Sequence, residues 1–206
     1  MLKNRILFLT LLTLPITLSY VMAMVPTQGV PLDGPAHWVG FHGSFTDSAP
    51  PGEQPVTGEY FQASNGSTRL DSSRQTTKGL VVWTTIVNTV LNRRFILDPG
   101  KSKWDSYPLE PRKAGWDRPL NFSSALSKGD GPAFQGMRTI RIESSDIEQL
   151  VVPDLNFFPI WQRRAGQERT YSNIEVGDPE STRFEPPPGA EVAVHTELQP
   201  KRSLRR

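Results

Sequence analysis

The chain has 206 residues, with 23 Lys and Arg against 21 Asp and Glu, and a formal net charge of +2. It contains no cysteine, which excludes disulfides, thiol catalysis, cysteine–zinc sites and lipoprotein acylation. Lys3, Arg5 and four basic residues in the last six positions produce the positive balance; setting those six aside leaves 17 basic residues against 21 acidic ones. No nucleic-acid partner is expected, because such proteins carry a basic face within the fold.

The beginning of the chain has the order of a secretory signal. Lys3 and Arg5 precede an apolar run at residues 6–14, and small residues suited to signal peptidase follow. Residues 1–23 are therefore predicted to be a signal peptide, and the protein is expected in the periplasm or outside the cell. The alternative is an inner-membrane anchor, because residues 6–25 are long enough to span a bilayer.

The next part of the chain introduces the first predicted strands. Residues 24–55 are rich in Pro and Gly and predict a flexible lead-in, in which the aromatic run at 37–45 could form a first strand. Residues 56–63 and 68–71 predict a hairpin around Ser64-Asn65-Gly66-Ser67, because Asn and Gly tolerate a positive φ.

A series of strands and turns follows this hairpin. Residues 80–90 are the strongest predicted strand, since β-branched and aromatic residues dominate them. Residues 94–97 and 103–107 predict two more strands, separated by a turn at 98–101 that contains Pro and Gly. This spacing is typical of an antiparallel meander.

The middle of the chain is less regular. Residues 108–132 predict a long surface loop with a brief helical turn near 123–128. Residues 136–143 alternate as a half-buried strand does, with Met137, Thr139, Arg141 and Glu143 on one face and Ile140 and Ile142 on the other. Residues 147–155 fit either a strand or a short helix.

A second clear hairpin closes the predicted domain. Residues 157–164 and 168–176 pair in this prediction, and Pro159 must then lie at an edge or a bulge. Asp178 is expected to cap one helical turn that ends near Phe184. Residues 191–206 predict a basic C-terminal tail, which is either a solvated terminus or in contact with anionic lipid or nucleic acid.

No specific catalytic pattern is present in the sequence, so neither a cofactor nor a metal is expected. His37 and His42 are five residues apart and would face opposite sides of a strand, and His195 lies far away in sequence. An exported hydrolase would need His37 or His42 to meet two carboxylates from distant segments.

The aromatic residues carry more information. If one face of a curved sheet carries many of them, it could hold a hydrophobic ligand, and Trp83, Phe95, Trp104 and Trp161 are the candidate ligand-binding residues. The alternative is that these side chains fill the core of a domain without disulfides. Trp83 and Thr85 share a face in either case.

Two segments resemble exported, uncharacterised β-rich proteins of the Acidobacteria type. The first is the hairpin GEYFQASNGSTR at 58–69, and the second is the closing pattern at 172–179 with FEPPPG at 184–189. The layout of that group is similar to the outer-membrane lipoprotein-carrier fold, which implies a strongly bent sheet around an apolar cavity. Position 62 is Gln where the group has Arg.

With this resemblance, the predicted fold class is mainly β, with residues 56–190 as the antiparallel domain. The expected architecture is a single antiparallel, strongly bent, half-barrel-like sheet with one or two short helical turns. The predicted function is that of an exported, non-enzymatic envelope protein that binds a hydrophobic or lipid-like ligand. The alternatives are a structural or interaction module of the envelope, whose partner is an envelope protein, and an exported hydrolase. Membrane contact is expected only through the N-terminal segment and the basic tail.

Overall fold

The structure is a computed structural model, which describes residues 38–109, 127–143 and 147–198. The predicted signal peptide, the alternative anchor at 6–25 and the end of the basic tail lie outside these residues. No helix in the described ranges is long and apolar enough to cross a membrane. The described chain forms twelve strands: β1 (Phe41–Asp47), β2 (Val56–Gln62), β3 (Thr68–Thr76), β4 (Gly79–Asn88), β5 (Arg93–Leu97), β6 (Trp104–Pro108), β7 (Ser127–Asp130), β8 (Ile140–Glu143), β9 (Ile147–Val152), β10 (Phe158–Arg164), β11 (Gln167–Val176) and β12 (Val192–Val194).

All twelve strands belong to one sheet, in the order β12-β6-β5-β4-β3-β2-β1-β11-β10-β9-β8-β7. Every pairing is antiparallel except that of β12 with β6. The sheet does not close on itself, and two short 3-10 turns, Pro153–Leu155 and Ser181–Phe184, are the helical elements of the described chain. The predicted fold class is confirmed.

Aromatic contacts across the sheet show how strongly it bends. Tyr60 lies on β2 and Phe158 on β10, with β1 and β11 between them. In a flat sheet with strands about 4.8 Å apart, these two strands would be separated by about 14 Å. The two ring centroids are 5.2 Å apart, and that of Tyr60 is 6.0 Å from that of Tyr171 on β11. The side that carries these rings is therefore concave, and we call it the inner face.

The inner face of one half of the sheet is filled by an apolar cluster, the inner core. It consists of Phe41, Phe45, Val56, Tyr60, Leu70, Val152, Leu155, Phe158, Ile160, Tyr171 and Ile174. These residues come mainly from β1, β2 and β9–β11 and from the turn after β9. Phe134 and Met137, from the β7–β8 connection, pack against the same cluster.

The outer face of the other half carries a second cluster, the outer core, which is covered by the chain itself. Phe61, Ala63, Ile86, Phe95 and Trp104 point outward from β2–β6 and their ends, and Phe184 packs on them together with Ala190 and Val192. We call residues 178–194 the strap, because they run from the end of β11 across this face to the β6 edge. Asn88 Nδ2 donates to the carbonyl oxygen of Phe184 at 3.0 Å.

The start of the strap corrects one prediction. Asp178 does not cap the 3-10 turn, whose N-cap position is Glu180 without a side-chain hydrogen bond. Asp178 instead accepts hydrogen bonds from the backbone N–H and hydroxyl of Ser64 at 2.6 and 2.7 Å. These bonds lower the pKa of Asp178 and fix the strap to the β2–β3 turn.

The predicted hairpins form with their expected turns. In the β2–β3 turn Asn65 Oδ1 accepts from the N–H of Ser67 at 2.8 Å, and Gly66 adopts a φ of 82°. A Cβ at Gly66 would lie 2.8 Å from Trp38 Nε1, so the turn requires glycine for two reasons. Pro159 lies at an irregularity in the β9–β10 pairing, as predicted.

Several strand limits differ from the sequence prediction. β3 continues to Thr76, well past the predicted end at 71, because its polar residues pair along β4. β7 occupies part of the predicted loop 108–132, while the predicted helical turn lies almost wholly outside the described residues. β12 lies within the predicted tail, so the sheet continues beyond residue 190.

The segment around β8 also differs in detail. Regular strand begins only at Ile140. Thr139 is fully buried, and its hydroxyl is satisfied by donating to the carbonyl oxygen of Pro132 at 2.7 Å. Met137 packs on the inner core while Arg141 is exposed, so the predicted common face of these residues is wrong. The open choice at 147–155 resolves as strand β9 followed by a 3-10 turn.

Candidate functional site

The inner face differs between the two halves of the sheet. In the half that contains β9–β11, the aromatic side chains of the inner core bury one another. On β4 the residues of the inner face, which alternate with the buried Thr84, Ile86 and Asn88, are only half-buried. This unequal covering identifies the inner face of β4–β6 as the candidate site.

A group of half-buried side chains forms this surface, which we call the inner patch. Strand pairing places Thr85 beside Ile96 and Arg94 beside Tyr107, so residues of three strands are adjacent. The members of the inner patch are Val81, Trp83, Thr85 and Val87 on β4, Ile96 on β5 and Tyr107 on β6, all of intermediate exposure. Trp83 also packs against the inner core and so lies where the filled half meets the patch.

Polar groups border the patch at the β6–β12 edge. The ring of His195 stacks on that of Tyr107, with centroids 4.3 Å apart and planes at 6°. A nitrogen of the same ring, Nε2, lies 2.9 Å from Asp105 Oδ1, and Lys101 Nζ lies 3.3 Å from Asp105 Oδ2. The hydrogen bond with His195 is the largest cause that lowers the pKa of Asp105. The border therefore consists of charges that are already paired.

The four candidate residues from the sequence do not share one face. Trp83 belongs to the inner patch, whereas Phe95 and Trp104 are 8% and 5% exposed and lie in the outer core. Trp161 pairs with Thr170 on the outer face of β10 and β11, under the guanidinium of Arg163 at 5.2 Å. The structure brings Phe95 and Trp104 together but separates them from Trp83 and Trp161. Ligand binding by Trp83 stays a prediction.

Sequence reasoning did not identify Ile96 and Tyr107 as residues that share the inner face with Trp83, or His195 as a residue at the border of that surface. The alternation along β4 indicates which residues share a face with Trp83, but not which residues of β5 and β6 lie beside them. That depends on the register of the β4–β5 and β5–β6 pairs, which the turns at 89–92 and 98–103 set. His195 arrives from a parallel strand that the sequence does not indicate.

The groups expected for a hydrolase are not assembled in the described part of the chain. His37 lies outside the described residues, and His42 lies 3.6 Å from one carboxylate, that of Glu175. His42 also stacks on Phe61, with ring centroids 5.8 Å apart. In the described ranges, no group of three His, Cys, Asp or Glu side chains could hold a metal ion.

A buried ion pair is the strongest electrostatic feature of the filled half. Arg169 donates to Asp47 through Nε at 2.5 Å and Nη2 at 2.7 Å, and its guanidinium lies 4.4 Å from the centre of the Phe45 ring. Burial alone would lower the pKa of Arg169, but the bonds to Asp47 reverse this and raise it. Burial raises the pKa of Tyr60 and Tyr171 nearby. This network joins β1 to β11 and lies away from the inner patch.

No protein-family model and no curated protein matches the chain. Two solved structures are distantly similar in fold. One is described as the crystal structure of MucB, with 11% identity and a TM-score of 0.35 over 79% of this chain and 62% of that chain. The other, MucB in complex with MucA(peri), has 12% identity and a TM-score of 0.34 over 75% of this chain and 57% of that chain. The chain thus spans less than two thirds of the length of each MucB chain, and a likeness this distant carries no functional assignment.

Proposed function

We propose that the protein is an exported, non-enzymatic module of the bacterial envelope that binds an apolar, lipid-like ligand on its inner patch. The observation that supports this proposal is the half-exposed inner face of β4–β6, beside an inner core that is otherwise filled. Apolar side chains on a concave surface gain free energy when an apolar ligand removes them from water. The ligand would lie along Trp83 and Ile96 and reach Tyr107.

The proposal assigns no covalent step to the protein. Trp83, Val87 and Ile96 provide contact area, and the stacked pair of Tyr107 and His195 forms one wall. Asp105 and Lys101 pair at the border, while Arg94 lies between Val87 and Tyr107 in the strand register and adds a cationic side chain to this surface. Selection would rest mainly on apolar area and shape.

Binding of cis-parinaric acid, a fluorescent fatty acid, tests this proposal. Trp83→Ala should weaken binding about tenfold or more, because losing ~60 Å² of apolar contact at ~25 cal/mol/Å² costs about 1.5 kcal/mol. Val82→Ala is the matched control, since Val82 is the next residue on the same strand but faces outward and is 47% exposed. It should bind as the wild type does.

Mass spectrometry of lipids extracted from the native protein provides a second measurement. A co-purifying lipid that is absent from the Trp83→Ala variant would agree with the proposal. Equal parinaric acid binding by the Trp83→Ala and Val82→Ala variants, together with a lipid-free native protein, would overturn the proposal. Circular dichroism of both variants establishes that each is folded.

A docking module for an envelope protein is the second candidate, and one observation favours it. β4 pairs with β5 only from Thr84 onward, so residues 79–83 have β3 as their neighbour and no second partner strand among the described residues. Leu80 and Val82 on this segment are 64% and 47% exposed. An open strand edge with apolar side chains is suited to pairing with a strand of another protein. Loss of envelope-protein crosslinking in Leu80→Ser/Val82→Ser, with parinaric acid binding unchanged, would favour this candidate.

A further inference from the structure

A cationic side chain lies at one end of the inner patch. Arg94 alternates along β5 with Phe95, which belongs to the outer core, so Arg94 is on the inner face. In the strand register Arg94 lies between Val87 of β4 and Tyr107 of β6, and its side chain is half-buried. A guanidinium stays protonated in proteins, so this end of the patch carries a positive charge.

An acidic side chain lies diagonally from Arg94 on the same face, and it already has partners. This residue is Asp105 on β6, which is one residue pair away from Arg94 in the register. Its carboxylate lies 2.9 Å from His195 Nε2 and 3.3 Å from Lys101 Nζ. The negative charge of Asp105 is therefore balanced by these partners at the β6–β12 border.

The opposite end of the patch is apolar. Trp83 lies there and packs against the inner core. Arg74 on β3 borders this end, because it pairs with Val81 in the register. Its Nη1 donates to Glu53 Oε2 at 2.8 Å, so a carboxylate balances this second cation. The inner patch is therefore polarised along β4.

The distance between the two ends suits an extended chain. Trp83 and Val87 are four residues apart on β4, and Arg94 lies one strand beyond Val87. At ~3.3 Å per residue and ~4.8 Å per strand, the backbone positions of Trp83 and Arg94 are about 14 Å apart. An acyl chain that covers Trp83 and Ile96 would bring its headgroup to the guanidinium.

We propose that the inner patch binds an acyl-chain amphiphile with a singly charged anionic headgroup, such as a fatty acid, and that Arg94 holds the headgroup. This inference rests on the proposed function and adds the charge and the orientation of the ligand. One guanidinium matches one negative charge and can donate two N–H groups to a carboxylate. The chain supplies most of the affinity, whereas Arg94 selects the acid over a neutral lipid.

Titration of the purified full chain with cis-parinaric acid and with its methyl ester tests the role of Arg94. The two probes have the same chain, but only the acid is charged at about pH 8. We expect the wild type to bind the acid about fivefold to tenfold more tightly, as one partly exposed charge-assisted hydrogen bond would give. Sodium acetate should displace the acid no more than sodium chloride does, because acetate lacks the chain.

Three variants locate this preference. Arg94→Gln should bind the ester as the wild type does and should bind the acid no more tightly than the ester. Arg94→Lys retains the charge and should keep most of the preference. Arg74→Gln is the matched control, since it removes the cation at the opposite end, and it should keep the full preference. Unchanged ester binding establishes that each variant retains a folded site.

The outcomes separate this inference from the proposed function. Equal affinity of the wild type for acid and ester, with binding still weakened in Trp83→Ala, would overturn the role of Arg94 alone. An undiminished preference in Arg94→Gln, or displacement of the acid by acetate, would overturn it as well. A wild type that binds neither probe would contradict the proposed function itself, and this inference with it.

Discussion

At the residue scale, Asp47 and Arg169 show how a disulfide-free sheet fixes two strands that are distant in sequence. Asp47 is 5% exposed and Arg169 4%, and they are direct partners across β1 and β11. Two charges removed from water are costly unless they are paired and hydrogen-bonded; the forked hydrogen bonds pair the two charges but leave Arg169 Nη1 without a hydrogen-bond partner. The net contribution to stability is therefore small, but the cost of removing one partner is large.

We predict that Asp47→Ala lowers the free energy of unfolding by about 3–5 kcal/mol, because it leaves a buried guanidinium without its counter-charge. Urea unfolding measures the change. Asp130→Ala is the control, since its ion pair with Arg138 is 67% exposed on both sides and should change stability by less than about 1 kcal/mol. A loss of similar size in both variants would contradict this account.

The double variant Asp47→Leu/Arg169→Met gives a further comparison. Apolar side chains of similar size should restore much of the loss, since neither leaves an unpaired charge. A double variant as unstable as Asp47→Ala would mean that packing around the pair, and not its charge, determines the loss.

At the element scale, the strap determines whether the apolar side chains of the outer face are buried or exposed. Without Phe184, Ala190 and Val192, the side chains of Phe61, Ile86, Phe95 and Trp104 would present a large apolar area to water. The strap is fixed at both ends, by Asp178 on Ser64 and by the pairing of β12 with β6. It therefore takes the place of a second layer over this half of the sheet.

We predict that Phe184→Ala lowers the free energy of unfolding by about 3–5 kcal/mol, the usual cost of a large aromatic cavity. Phe184 is 3% exposed and is the largest side chain that the strap contributes. Val194→Ala, on the exposed side of the same segment, should change the free energy of unfolding by less than about 0.5 kcal/mol. Thermal and urea unfolding measure the change in both variants. Equal losses would mean that Phe184 contributes no more to stability than an exposed side chain does.

At the scale of the whole molecule, two cores lie on opposite faces of one sheet and share strands. Tyr60 and Phe61 are neighbours on β2, yet the first belongs to the inner core and the second to the outer core. β2 cannot lose its partners on one face while the other face stays intact. The two halves are therefore expected to unfold together.

Hydrogen exchange of the Phe184→Ala variant tests this coupling. Although the substitution is in the outer core, we expect amides of β10 to exchange faster by the same factor as amides of β5, because global unfolding exposes both. Mass spectrometry of peptides from the two strands provides the comparison. Faster exchange confined to β5 and β6 would show that the halves unfold separately.

Local sequence was sufficient to predict an element where neighbouring residues determine its structure. Asn65 and Gly66 set the β2–β3 turn, β-branched residues set β4, and Pro159 required its irregularity. Local sequence was insufficient to predict β7 and β12, because both strands are short and β12 has a partner that is distant in sequence. It also missed the end of β3, whose polar residues form a strand because β4 lies beside them.

The amino-acid pattern by itself determined that this chain forms antiparallel strands without disulfides, because alternation and turn residues act over a few positions. Only the tertiary structure decided which face each aromatic side chain occupies. Trp83 lies on the inner face while Phe95 and Trp104 lie on the outer one, since strand register and the path of the strap are fixed by contacts between distant segments. The inner patch exists for the same reason: the chain covers one side of β4–β6 with its own strap and leaves the other side half-exposed.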